Sequence, residues 1–138
     1  MSDQSIVMQS KSQIYSNIVF PQIQALISQH QGDENLKRYK SLCKRSGGLL
    51  RSVGLIQWLS FLAAKAARGE VHHQYLLDNL VSELTAIKVL KVKGSDELLL
   101  TVRKQSLPEY MYTTTQVLKL LQWHKRIADI LITSGDTE

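Results

Sequence analysis

Only two prolines and seven glycines interrupt the 138 residues. Between these breaks apolar residues recur at spacings of three and four, and no stretch alternates with period two between turn signals. A chain patterned this way has little means of making strands and ample means of making amphipathic helices. It reads as all-α: a single compact bundle of five to six helices in one domain over 1–138, with the acidic tail 133–138 frayed.

The punctuation places the helices. The first spans about Asp3 to Gln29, with Ile6, Tyr15, Ile18, Val19, Ile23, Leu26 and Ile27 at helical spacing. Pro21 within it implies a kink or a restart. After the turn Gln31-Gly32-Asp33, Asp33 is placed to cap a helix from Glu34 to about Val53, which Gly54 ends. A third helix covers Leu55 to Arg68 and stops at Gly69, and a fourth covers about Val71 to Lys91 and stops near Gly94. Ser95 or Asp96 can cap a fifth through about Gln105, although the run LLLTV there also suits a short strand. The sixth begins near Pro108, after Ser106-Leu107, and runs to Ile132.

Charge is distributed unevenly along this scaffold. From Asn35 to Gly69 there are eight basic residues (Lys37, Arg38, Lys40, Lys44, Arg45, Arg51, Lys65, Arg68) and no acidic one. The chain as a whole carries +5, so the remainder is at −3. Such a block points to a polyanionic partner. Nucleic acid fits better than a membrane surface, because no exposed bulky apolar anchor accompanies the cations.

On a helical wheel, Glu34 to Val53 divides into two faces. Leu36, Tyr39, Leu42, Cys43, Leu49, Leu50 and Val53 share one arc, and Lys37, Arg38, Lys40, Ser41, Lys44, Arg45, Gly48, Arg51 and Ser52 share the other. A solvated charged face is the plain reading of that second arc. Against it, pairs such as Lys40 and Lys44 at i,i+4 repel, and only Glu34 on this helix is acidic. Gly47 and Gly48 each cost about 1 kcal/mol against alanine in a helix interior. They mark either a surface where phosphate or another subunit approaches closely or a break between two shorter helices. The residues selected for RNA are Lys37, Lys40, Lys44, Arg45 and Arg51, acting on backbone phosphate without reading bases.

The last helix shows a second pattern. Tyr110, Thr114, Val117, Leu118, Leu121, Ala128, Leu131 and Ile132 form its core side. Tyr112, Gln116, Lys119, Trp123, Arg126 and Ile130 line up opposite and mix large apolar groups with cations. Trp123 there either packs on a neighbouring helix or, with Tyr112, Lys119 and Arg126, meets a partner subunit or a stacked base.

Two blocks, RYKSLCKRSGGLLRSVGLIQWLSFL (Arg38 to Leu62) and YMYTTTQVLKLLQWHKRIADILI (Tyr110 to Ile132), resemble the small helical subunit of the type III-B CRISPR RNA-silencing complex, the Cmr effector. The match in the first falls on Tyr39, Lys40, Arg45, Arg51, Gly54-Leu55, Gln57, Leu59 and Phe61. In the second it falls on Tyr110, Thr114, Val117-Leu118, Trp123 and Lys125-Arg126. The resemblance implies a non-catalytic subunit that stacks in several copies beside the backbone subunit, forming a basic groove along guide RNA and target RNA. Cleavage is implied to belong to the backbone subunits. Gly47-Gly48, the acidic tail and the stretch from Arg68 to Leu107 depart from the pattern.

Enzyme chemistry has no foothold in the sequence: there is no phosphate-binding loop, dinucleotide turn or nucleophile motif, and no cofactor is expected. Cys43, the lone cysteine, excludes an internal disulfide. His72 and His73 are adjacent and are expected to diverge on a helix, so no metal site is expected. His124 and Cys43 fall near apolar arcs, where core packing is the default, and Asp129 is placed for a surface ion pair with Lys125 or Arg126. No apolar run approaches the roughly 20 residues of a membrane span, and no signal peptide is recognisable, which suits a cytoplasmic protein. Two other functions fit the basic face: a helical adaptor docking on an acidic protein, and a DNA-binding regulator, the latter lacking a helix-turn-helix pattern.

Overall fold

The computed structural model describes residues 8–133, which form six α-helices and, among those residues, no strand. They are α1 (Lys11–Gln29), α2 (Glu34–Val53), α3 (Leu55–Ala67), α4 (Val71–Ala86), α5 (Ser95–Arg103) and α6 (Leu107–Leu131). The tail expected to fray falls largely outside the described residues, as do the first residues of the expected first helix. None of the helices is long and apolar enough to cross a membrane.

Most boundaries follow local chemistry. Asp33 caps α2 by accepting from the backbone N–H of Asn35 at 2.9 Å. Ser106 opens α6 in a capping box with Glu109, each satisfying the other's backbone N–H. Gly54 and Gly69, at φ 88° and 92°, take left-handed conformations that end α2 and α3. The fifth element is helical, opened by Asp96 and Glu97 in its first turn and by the Glu97 carboxylate accepting from Lys93 N–H at 2.7 Å.

Two boundaries differ markedly from the sequence reading, and one alternative left open there is settled. α1 starts at Lys11, because Ser10 and Gln13 build a capping box there, and it passes through Pro21 without a break. α4 stops at Ala86, well short of Lys91. Lys88 adopts φ 61°, its N–H donates to Thr85 O, and Val89 N–H donates to Leu84 O, the paired hydrogen bonds of a Schellman stop. α2 is unbroken through Gly47-Gly48, which removes the two-helix alternative.

The long helix α6 runs along both α1 and α2, while α4 packs on α2 and α3, and α5 closes against α3 and α4. Between them Tyr39, Trp58, Leu42, Leu62, Leu76, Leu80, Leu84, Leu120 and Leu121 are fully enclosed. Because α6 is covered by α1 and α2 and also touches α4, its buried arc is wider than the sequence stripe and includes Thr113, Gln116, Leu120, His124 and Ile127. Tyr110, Thr114, Leu118 and Leu131, placed in the core by spacing, are only half-buried.

Candidate nucleic-acid interface

The cations of α2 fall on two stripes roughly 100° apart. Lys37, Lys44 and Arg51, at intervals of seven, face the α6 side, and Arg38 and Arg45 face the N-terminal end of α4. The second placement shows in the histidines there: burial foremost, then His73 and the charges of Arg38 and Arg45, hold His72 down to about 4. Lys44, Arg45 and Arg51 are exposed; Arg45 Nε donates back to Ser41 O at 3.3 Å, and Lys37 lies 3.6 Å from Glu34.

Lys40 does not join them. It is 6% exposed, and its ammonium lies 3.8 Å from the carboxylate of Asp129 on α6. The wheel puts Lys40 on the outward arc, but its position borders the apolar arc and α6 passes over that edge. The aliphatic stem is buried and the head reaches out to Asp129. The same contact takes Asp129 to Lys40 rather than to the Lys125 or Arg126 partner expected from sequence.

A shallow groove separates α2 from α6. Lys44, Gly47, Gly48 and Arg51 form one wall, Leu118, Leu121, Gln122 and Lys125 the other, and Cys43 lies at its base. Lys125 is not among the residues that the sequence selects for RNA. Its signal is its place in the Trp-x-Lys-Arg pattern, which spacing alone does not orient toward α2.

On the far side of α6, Tyr112, Lys119, Trp123 and Arg126 do share a stripe that ends at Ile130. Tyr112 and Ile130 are exposed at 57% and 69%, Trp123 and Lys119 are half-buried, and the Arg126 guanidinium lies 5.2 Å over the Trp123 ring. Gln116, assigned to this stripe, is instead buried and accepts a hydrogen bond from Tyr15 of α1.

Two polar clusters lie inside the bundle. His124 donates from Nε2 to Glu83, and its Nδ1 is 2.9 Å from the Tyr39 hydroxyl, which also accepts from Asn79 Nδ2 at 2.9 Å. Burial opposes charge on His124, but the Glu83 carboxylate and the hydrogen bonds that the ring donates to Cys43 and Glu83 lift it to about 10. The other cluster corrects an expectation. His72 and His73 do not diverge: their rings lie 4.2 Å apart and, with Glu70, bring one ligand atom each to within 4.8 Å of one another. They occupy the first turn of α4, where no preceding turn restricts their rotamers. Lys65, 3.6 Å from the Glu70 carboxylate, together with Arg45 and Arg38, makes this end of α4 a cationic neighbourhood.

The family model for CRISPR-associated protein (Cas_Cmr5) matches residues 11–131. The chain is also similar to the CRISPR system Cmr subunit Cmr5 of Thermus thermophilus, at 27% identity over 125 residues, covering 91% of this chain and 98% of that one. Its structure resembles the X-ray crystal structure of a CRISPR-associated Cmr5 family protein, also from Thermus thermophilus, with a TM-score of 0.73 and 26% identity over 91% of this chain and 99% of the other.

Proposed function

The chain belongs to the Cmr5 family of CRISPR-associated proteins, and from that premise we propose that it is a non-catalytic, RNA-binding scaffold subunit of a Cmr effector. In this reading several copies stack beside the backbone subunit, and the basic face of α2 follows the phosphates of guide and target RNA. One observation carries it: an unbroken α2 presents Arg38, Lys44, Arg45 and Arg51 outward while its sole acid, Glu34, stands at the N-terminal end. Phosphate contacts neutralise charge without reading bases, so sequence would be read by guide pairing. The α6 stripe of Tyr112, Lys119, Trp123 and Arg126 serves subunit contact, since aromatic and arginine side chains dominate such surfaces.

The test is a titration of the assembled complex with RNA at several salt concentrations, comparing wild type with a Lys44→Glu/Arg45→Glu variant. The expected result is weaker binding by a similar factor for unrelated guides, with a shallower dependence on salt of about 0.7 log units per lost phosphate. Unchanged affinity and slope would move the basic face to an acidic protein partner and make the chain an adaptor. A loss confined to certain sequences would indicate base readout and contradict the phosphate mechanism.

A further inference from the structure

We propose that the groove between α2 and α6 is a seat for a single RNA backbone phosphate, held by Lys44 and Arg51 from α2 and Lys125 from α6, over the bare backbone of Gly47-Gly48. The inference rests on the RNA-binding reading and locates its closest contact.

Gly48 carries the argument. Two glycines inside a helix cost about 1 kcal/mol each, and the usual structural reasons for them are missing. α2 neither breaks nor kinks into a second helix, and neither Gly47 nor Gly48 takes a positive φ. A Cβ built on Gly48 would meet nothing within 4 Å, so no neighbouring helix requires the bare backbone. What the glycine leaves is open space on a cationic wall. At Gly47 a Cβ would lie 3.6 Å from Arg51 Nη1, so the exposed Arg51 side chain keeps one guanidinium nitrogen close to the Gly47 backbone.

The dimensions and chemistry of the groove favour a small anion. Its volume is about 120 Å³, roughly the share of four liquid water molecules and well below the few hundred Å³ of a small-molecule pocket. Among the described residues no aromatic side chain lines it, so they offer a base nothing to stack on. Of the nine described residues that line it, three are cationic and none is acidic. Arg51 can grip two phosphate oxygens with its planar fork while the lysines act as point charges, and Gln122 adds a side-chain amide donor.

Three variants in the assembled complex, Lys125→Gln, Gly48→Leu and Arg38→Glu/Arg45→Glu on the other stripe, separate this seat from the broader reading. Each is assayed by RNA titration across salt concentrations after far-UV CD has checked helicity. The expected result for Lys125→Gln is a roughly tenfold loss, with the salt slope shallower by about 0.7 to 0.9. Gly48→Leu, which changes no charge and enters open space, is expected to raise helix stability yet weaken RNA binding and lower the same slope. If Lys125→Gln and Gly48→Leu bind as wild type while Arg38→Glu/Arg45→Glu binds weakly, the seat is wrong and the RNA-binding reading stands. If all three bind as wild type, both fail. If Lys125→Gln keeps its helicity but no longer assembles with its partners, the anion in the groove is a protein carboxylate and the proposal is overturned.

Discussion

The imidazole Nε2 of His124 lies 2.7 Å from a carboxylate oxygen of Glu83, and neither side chain reaches solvent. The pair bridges α6 and α4, and through Tyr39 it is tied to α2, so three helices meet on one polar network. Removing one member of a buried pair leaves the other charged and unsolvated. Glu83→Ala is therefore expected to cost about 3–5 kcal/mol in urea unfolding. A loss under about 1 kcal/mol would mean that the pair is not ionised.

The same pair predicts a loss of stability on the alkaline side. His124 is held at about 10 against an ordinary 6.5, so its contribution is complete below about 6.5 and is lost as pH rises through 10. Thermal unfolding of wild type should fall steadily from about pH 7 to about pH 10.5. A His124→Gln variant, less stable throughout, should show a flatter profile over that interval.

Tyr110 stands out in the sequence for its place in a recurring pattern, and the structure gives it work at another helix. Gly54 offers no side chain to cap α3, and the Tyr110 hydroxyl takes that place, accepting from Ile56 N–H at 3.1 Å. Tyr110→Phe should lower stability by about 1 kcal/mol, the usual value of a cap, and leave RNA affinity of the complex unchanged.

What is legible in the sequence is what a single helix determines about itself. Glu34–Val53 has the boundaries its own punctuation implies because Asp33 and Gly54 sit at its ends, and its apolar arc is the arc that packs. Lys40 and Gln116 escape such a reading because burial at the edge of an arc depends on which neighbour covers it, and α6 and α1 supply those neighbours from distant parts of the chain. The end of α4 is hidden because Lys88 is neither glycine nor asparagine, so no residue type announces its left-handed turn. Ser10 and Gln13 do announce the start of α1, but the apolar spacing extends past them.

Lys40 and Arg45 belong to one basic block yet should respond differently to charge reversal. Lys40→Glu would bury a carboxylate beside Asp129 and is expected to cost about 3 kcal/mol or more. Arg45→Glu, on an exposed face, should stay within about 0.5 kcal/mol. Chemical denaturation of the two variants checks this. Equal stabilities would show that Lys40 is as solvated as Arg45 and restore it to the RNA-facing set.

His72 predicts the behaviour in acid. Burial is the largest influence on it, and His73, Arg38 and Arg45 add to it, so the folded protein holds this ring neutral down to about 4 while the unfolded chain protonates it near 6.5. Over that interval the unfolded state binds more protons, and stability falls as pH falls. His73, lowered also by burial and by Arg45 and Lys65, adds in the same sense, with Glu70 opposing in both cases. Glu83 works the other way: its buried carboxyl titrates above the ordinary range, which favours the folded state in acid. Comparing wild type with His72→Leu cancels the Glu83 contribution and isolates the ring. The variant should lose less stability than wild type between pH 6.5 and about 4, measured by urea unfolding at closely spaced pH values. Parallel curves for the two proteins would mean that His72 is protonated in the folded state, and that the cationic end of α4 is more open to water than its burial indicates.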